Sequence, residues 1–222
     1  VPGAMAMTGG GGVDCLVTTP EGQILVGGAF ETAGSIPATS VALYTPGPGG
    51  GAGGIGMWTS MAPETLHHSS RARDVAIRAD GTVVIGGEFR FVPGNSSYNS
   101  IAYNGSGPSG TPGIGPWSPI GIMTSSAATF TSVVALVTVP GGPFADDVIA
   151  GGPFVRVGGL GVLFIARHHV DAHGVGTWHA IEARNPDGSI GFGTNGTVLD
   201  LAANASGEVI AAGTFTHVGT AG

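Results

Sequence analysis

The sequence predicts an all-β fold of repeated four-stranded antiparallel units, the blades of a β-propeller, on three observations. Of 222 residues 43 are Gly and 15 are Pro, so about a quarter of the chain consists of residues that interrupt helices and make turns. A glycine anchor recurs as Gly27-Gly28-Ala29-Phe30, Gly86-Gly87-Glu88-Phe89, Gly151-Gly152-Pro153-Phe154 and Ala212-Gly213-Thr214-Phe215, with the Phe residues 59, 65 and 61 positions apart. Around each anchor the same order of apolar runs and turns returns, and a period near 60 residues marks one supersecondary unit repeated along the chain.

Each unit builds in the same order. A first apolar run, a short turn and a second run precede the anchor: Val13 to Val17, Pro20-Glu21-Gly22 and Ile24-Leu25-Val26 in the first unit. The plan returns as Val75-Ala76-Ile77, Asp80-Gly81 and Val83-Val84-Ile85, then as Val198 to Ala202, Ser206-Gly207 and Val209-Ile210-Ala211. Two β-rich runs around an x-Gly turn read as a hairpin. A third run follows the anchor (Val41 to Tyr44, Ile101 to Tyr103, Leu163 to Ala166). A Gly/Pro/Ser-rich loop then leads to a lone Trp, at Trp58, Trp117 and Trp178. The units run over 13–71, 72–132 and 133–197, with a tail at 1–12 and a partial repeat at 198–222, a single propeller region over 1–222.

The glycines of each doublet, Gly28, Gly87, Gly152 and Gly213 among them, are expected where inner strands of neighbouring blades converge and any Cβ would collide. Phe30, Phe89, Phe154 and Phe215, with the three Trp, are expected to fill the wedge between blades. A β-sandwich with similar hairpins has no reason to repeat Gly-Gly-x-Phe at this interval.

The order glycine doublet, Tyr sixteen residues after its second Gly (Gly28 to Tyr44, Gly87 to Tyr103), then Trp, resembles the kelch-type repeat. The version Gly-Gly-x-Phe, apolar-Ala-x-Tyr, Gly-x-Trp is also similar to the repeats of secreted bacterial proteins and of fungal cell-surface cortical polarity markers. The resemblance spans nearly the whole chain and implies a fold, because propellers serve as enzymes, lectins, adhesins and scaffolds alike.

First and second strands occur four times, third and fourth strands three times, so about 3.5 to 4 repeats are visible. The chain reads as a segment of a larger propeller or array, with a self-closed four-bladed ring and an assembly in which one copy completes the next as the alternatives. The last second strand, Val209 to Ala211, is expected to present an open edge without Lys or Pro.

Chemistry is sparse. Seven Arg, no Lys and 14 acids leave a charge of −7, which does not suit nucleic acid or an anionic membrane, and charged residues are only 9%. No apolar run approaches the ~18 residues of a membrane span. Without Lys there is no P-loop and no Schiff base. The lone Cys15 excludes an intrachain disulfide. Aligning the repeats on their turns puts Cys15, Asp74, Ala135 and Asp200 at one place of the innermost strand. There Asp74 and Asp200 are candidate Ca²⁺ or polar-ligand groups, or acceptors for neighbouring backbone. His67-His68 and His168-His169 are adjacent pairs, and strand neighbours point to opposite faces, so a pair chelates one ion only from a loop. Asn95, Asn104, Asn195 and Asn204 head glycosylation sequons, a pattern fitting a secreted glycoprotein and also ordinary turn dipeptides. No nucleophile motif is present. The expectation is an extracellular or cell-surface propeller with a structural or adhesive role in self-assembly or in a longer chain, non-catalytic and without a cofactor. The alternative is a glycan- or peptide-binding module whose site lies on the loops carrying the two histidine pairs.

Overall fold

The computed structural model describes residues 11–47, 56–61, 66, 70–91, 95–105, 117–121, 123–124, 131–184 and 188–220. They form small antiparallel sheets in an all-β chain. Among them the helical element is a single 3-10 turn, Gly142–Phe144. The chain divides into two compact units, Val1–Tyr98 with Ala102–Ser118, and Asn99–Ile101 with Pro119–Gly222.

In the first unit, β1 (Val13–Thr18) and β2 (Ile24–Gly28) are followed by a minor hairpin of β3 (Thr32–Ala33) and β4 (Ile36–Pro37), then by β5 (Val41–Thr45) and β6 (Met57–Ser60). The main sheet has the order β1-β2-β5-β6, the four strands expected of one repeat. The turn from Thr19 to Gln23 closes because the Gly22 N–H donates to the Thr19 carbonyl at 2.9 Å and Gly22 takes φ +79°. This is a three-residue hairpin with Gly in the left-handed position. The turn between β7 (Arg71–Ile77) and β8 (Val83–Phe91) is built alike, with Gly81 at φ +83° and its N–H on Arg78. β9 (Asn95–Asn104) and β10 (Ser118–Gly121) complete a second sheet in the order β10-β9-β8-β7. The unit's core joins Leu25, Val41 and Leu43 of the first repeat to Val75, Val83, Ile85 and Phe89 of the second.

The second unit opens with β11 (Met123–Thr124), then β12 (Ala135–Thr138), β13 (Val148–Gly151), β14 (Arg156–Val157), β15 (Leu160–Gly161), β16 (Ile165–Val170) and β17 (Gly176–Ala180). It ends with β18 (Glu182–Arg184), β19 (Ile190–Thr194), β20 (Val198–Ala203), β21 (Val209–Gly213) and β22 (Val218–Thr220). The third repeat supplies the sheet β12-β13-β16-β17, and the fourth the pair β20-β21. Two further small sheets, β11-β14-β15 and β18-β19-β22, are absent from the sequence expectation. Their strands are two to five residues long, too short for a period-2 pattern to announce them. Ile149, Val198 and Leu201 anchor the core shared by the third and fourth repeats.

Strand register makes the repeats superimposable. Cys15 pairs with Gly27, Asp74 with Gly86, Ala135 with Gly151 and Asp200 with Ala212. In three repeats the register slips immediately before that pair, between Val13 and Cys15, Ala72 and Asp74, and Val198 and Asp200. In those three repeats the bulge explains the second glycine of the anchor, and it corrects the expected reason for that glycine. A Cβ on Gly28, Gly87, Gly152 or Gly213 would fall 2.0–2.7 Å from the carbonyl oxygen of the residue just before its repeat, Gly12, Arg71, Ser132 or Thr197, where the chain enters the first strand. The first glycine meets the next repeat's first strand in the two places where its contacts are seen. A Cβ on Gly27 would stand 3.1 Å from Ala72, and one on Gly151 would stand 2.6 Å from Val198.

The wedge assignment is corrected for the first repeat in the same way. Phe30 is buried among Val26, Ala33, Ala38 and Ala42, with Trp58 packed against that cluster, all within one repeat. Besides these cores, backbone recognition links successive repeats. The Trp117 indole donates to the Met61 carbonyl at 2.9 Å, and the Trp178 indole donates to Ile120 at 2.8 Å. Each acceptor lies three residues past the preceding repeat's Trp. Within the first and second repeats Ser40 and Ser100 donate their hydroxyls to Ser70 and Thr131, at 2.8 and 2.6 Å, beside the boundary with the next repeat.

Gly87→Ala is expected to cost more than the roughly 1 kcal/mol of an ordinary strand glycine, because the Arg71 carbonyl occupies the methyl's place. Gly161→Ala, whose Cβ meets nothing within 4 Å, serves as the control and should melt with the parent. Thermal denaturation of both variants reads the difference.

Candidate functional site

Register identifies where the third repeat departs from the first. Ile24 pairs with Tyr44 and Val148 with His168, so Gln23, Leu43 and Thr45 correspond to Asp147, Arg167 and His169. In the first repeat the Gln23 side-chain amide donates to the Thr45 hydroxyl at 2.9 Å. In the third the same places hold an ionic cluster. Because the first repeat folds without charge there, the cluster is not something the fold requires.

The Asp147 side chain is only 2% exposed, while Arg167 and His169 are 19% and 45% exposed. Arg167 donates to Asp147 Oδ2 at 2.5 Å, and Asp147 Oδ1 lies 2.7 Å from His169 Nδ1. A carboxylate only accepts, so Nδ1–H is the donor and Nε2 is the ring's remaining nitrogen. The Arg167 guanidinium lies over the Phe144 ring, 4.2 Å from its centroid, a cation–π contact that fixes its plane. His179 sits edge-on to His169 with centroids 6.4 Å apart, its Nε2 3.0 Å from the Thr177 hydroxyl. Beside this cluster lies a cleft of about 680 Å³, walled by Phe144, Arg167, Trp178, His179, Glu182 and Phe192. Fixed, charge-balanced polar groups next to aromatic surface suit a polar ligand of low charge.

The histidine pair is not on a loop. His168 and His169 lie on β16 and face opposite ways, as strand neighbours must. His168 is buried with its ring 4.8 Å from that of Trp178 at 52°, and Tyr44 meets Trp58 at 5.1 Å and 51°. It therefore takes the tyrosine's place in the third repeat. The signal was in the spacing: His168 follows Gly152 by the same sixteen residues that separate Gly28 from Tyr44. Gly56 and Gly176, each two residues before a Trp, make room for these rings, since a Cβ there would fall 2.2 Å from Tyr44 and 2.5 Å from His168. His67 and His68 lie outside the described residues.

Asp74 and Asp200 make identical contacts: Oδ1 accepts the N–H of the next residue, Val75 at 2.8 Å and Leu201 at 2.9 Å. Each is the backbone acceptor at a bulge. Among the described residues no group of three or more His, Cys, Asp or Glu could hold a metal ion. Asn104 is buried and donates to the Met61 carbonyl at 3.3 Å, so in the folded chain this sequon is not on the surface. Asn204 and Asn195 are exposed, and both are occupied with backbone. Asn204 accepts from Ser206 and Glu208 in its turn, and Asn195 accepts from Thr216 and His217. Asn95 opens β9.

Asp147 and Arg167 carry no sequence signal of their partnership, because it spans 20 residues and two strands. The local trace is the step from Gln23 and Thr82 to Asp147 just before the second strand. Comparison with family models, curated proteins and solved structures gave no match.

Cys15 is half-buried. Burial first, and then the negative charge of Asp74, push its thiol up from 9.0 to about 12. The folded chain therefore holds the proton while the unfolded chain releases it from about pH 9. The associated stability is intact below about pH 9 and drains away as pH rises toward about 12. Denaturant titrations should show that alkaline loss in the parent and a shallower one in Cys15→Ala. Asp147→Ala should cost about 3 kcal/mol, since it strips Arg167 of a buried counter-charge, whereas Asp171→Ala at an exposed turn should cost at most about 1 kcal/mol. Chemical denaturation of the two variants checks the contrast.

Proposed function

We propose that the chain is a non-catalytic β-propeller region of kelch-like repeats that works extracellularly or at a cell surface through protein–protein contact. The four-stranded sheets built by successive repeats, with their strands in chain order, support the propeller reading. The function rests above all on β21. In the first three repeats the second strand is flanked on both sides, whereas β21 pairs only with β20 among the described residues. It therefore offers a row of backbone donors and acceptors, with exposed Ile210 on the strand and Leu199 beside it. Such an edge is a template for another chain. Size-exclusion chromatography with light scattering over a wide concentration range tests this, with masses expected to exceed the monomer and to rise with concentration. A monomer throughout would defeat the reading.

A second reading, a glycan- or peptide-binding module, is favoured by one observation, the ionic cluster peculiar to the third repeat beside its cleft. It predicts binding on a glycan or peptide array that is lost in Arg167→Ala while the fold, followed by circular dichroism, is kept.

A further inference from the structure

The proposed protein–protein contact has a specific geometry written into the repeats, and the pairing of copies inferred from it rests on that reading of function. Two seams between successive repeats are seen within single units, the first with the second and the third with the fourth. In both, the first glycine of the anchor fits against two residues of the next repeat's innermost strand. Gly27 faces Ala72 and Val75, and Gly151 faces Val198 and Leu201. By register, the residues of the first repeat at those places are Val13 and Leu16, and the fourth repeat's counterpart of the glycine is Ala212.

Exposure shows both half-seams open. Val75, Leu136 and Leu201 are at most 9% exposed, but their counterpart Leu16 is 61% exposed. Ala72 and Val198 are fully buried, and Val13 is 37% exposed. On the other half, Leu25, Val84 and Ile149 are at most 2% exposed, whereas Ile210, at the same register position, is 69% exposed.

We infer that these two faces are halves of one seam, and that the β20-β21 face of one copy of this chain receives the β1 face of a second copy, head to tail. Ala212 then lies against Val13 and Leu16 of the next copy, and Ile210 is covered as Leu25 and Ile149 are. The charges agree. Asp14 and Arg71 form a bidentate ion pair in the first seam, at 2.7 and 2.8 Å. The corresponding places in the copy-to-copy seam hold Leu199 and Gly12, so no charge is buried alone. Ala212 adds a methyl where the internal seams have glycine, and a Cβ at Gly27 or Gly151 would stand 3.1 Å from Ala72 or 2.6 Å from Val198, so this seam is set wider than theirs. A heterologous contact of this kind extends into a filament or closes into a ring.

The test is a mixing experiment. Ile210→Arg removes one half of the seam and Leu16→Arg the other, both at exposed positions, so each variant should keep the parent's circular dichroism and melt. Each alone should be a monomer by light scattering where the parent associates. An equimolar mixture should give a 1:1 dimer and nothing larger, because one intact half remains on each partner. Association of either variant alone would overturn this seam while leaving protein contact in place. A mixture that stays monomeric would overturn the head-to-tail pairing, and a parent that never associates would overturn both readings. If an Arg variant does not fold, Leu16→Asn and Ile210→Asn repeat the test with a smaller change.

Discussion

The structure depends on one close approach, a backbone carbonyl of the first strand lying where the side chain of the anchor's second glycine would be. The bulge before Cys15, Asp74 and Asp200 brings that carbonyl in, and only a residue without Cβ accepts it. The bulge also rotates the strand, so that the residue on one side of it and the residue two places beyond face the preceding repeat together. Ala72 and Val75 do so in one seam and Val198 with Leu201 in the other. The doublet therefore couples two levels of structure, its second glycine admitting the bulge and its first receiving the neighbour that the bulge aims. Asp74 and Asp200 then have a plain role, since a bulge leaves a backbone N–H in need of an acceptor and their carboxylates supply it.

How much of this is legible in the sequence depends on the range of each interaction. The hairpin turns, the four-strand plan and the equivalence of Cys15, Asp74, Ala135 and Asp200 are legible, because they are set by residues a few positions apart and recur with the period. The two roles of the doublet are not, since a bulge leaves no mark except the glycine it demands. His168 misleads because its identity outweighs its position. A histidine beside a histidine suggests a ligand, while the sixteen-residue spacing assigns it to the ring stack on Trp178. Asp147 and Arg167 are beyond reach of any local pattern, for their contact is defined only when the second and third strands pair.

The ionic cluster and the open seam mark two different departures from the repeat, and they bear on function differently. Repeats that merely stack need the same residues at the same places, so conformity with the period reports architecture and departure from it reports something else. In the third repeat the departure introduces charge: a buried carboxylate takes one bond from a guanidinium and one from an imidazole, an arrangement costly in desolvation at places where the first repeat has only the neutral Gln23–Thr45 pair. At Leu16 and Ile210 the residue types conform and only the burial departs. Apolar side chains kept at seam positions, 61% exposed at Leu16 and 69% at Ile210, carry the cost of contact with water on both faces. The internal seams bury the same strand pattern, and the proposed pairing of the two faces would bury these side chains in the same way.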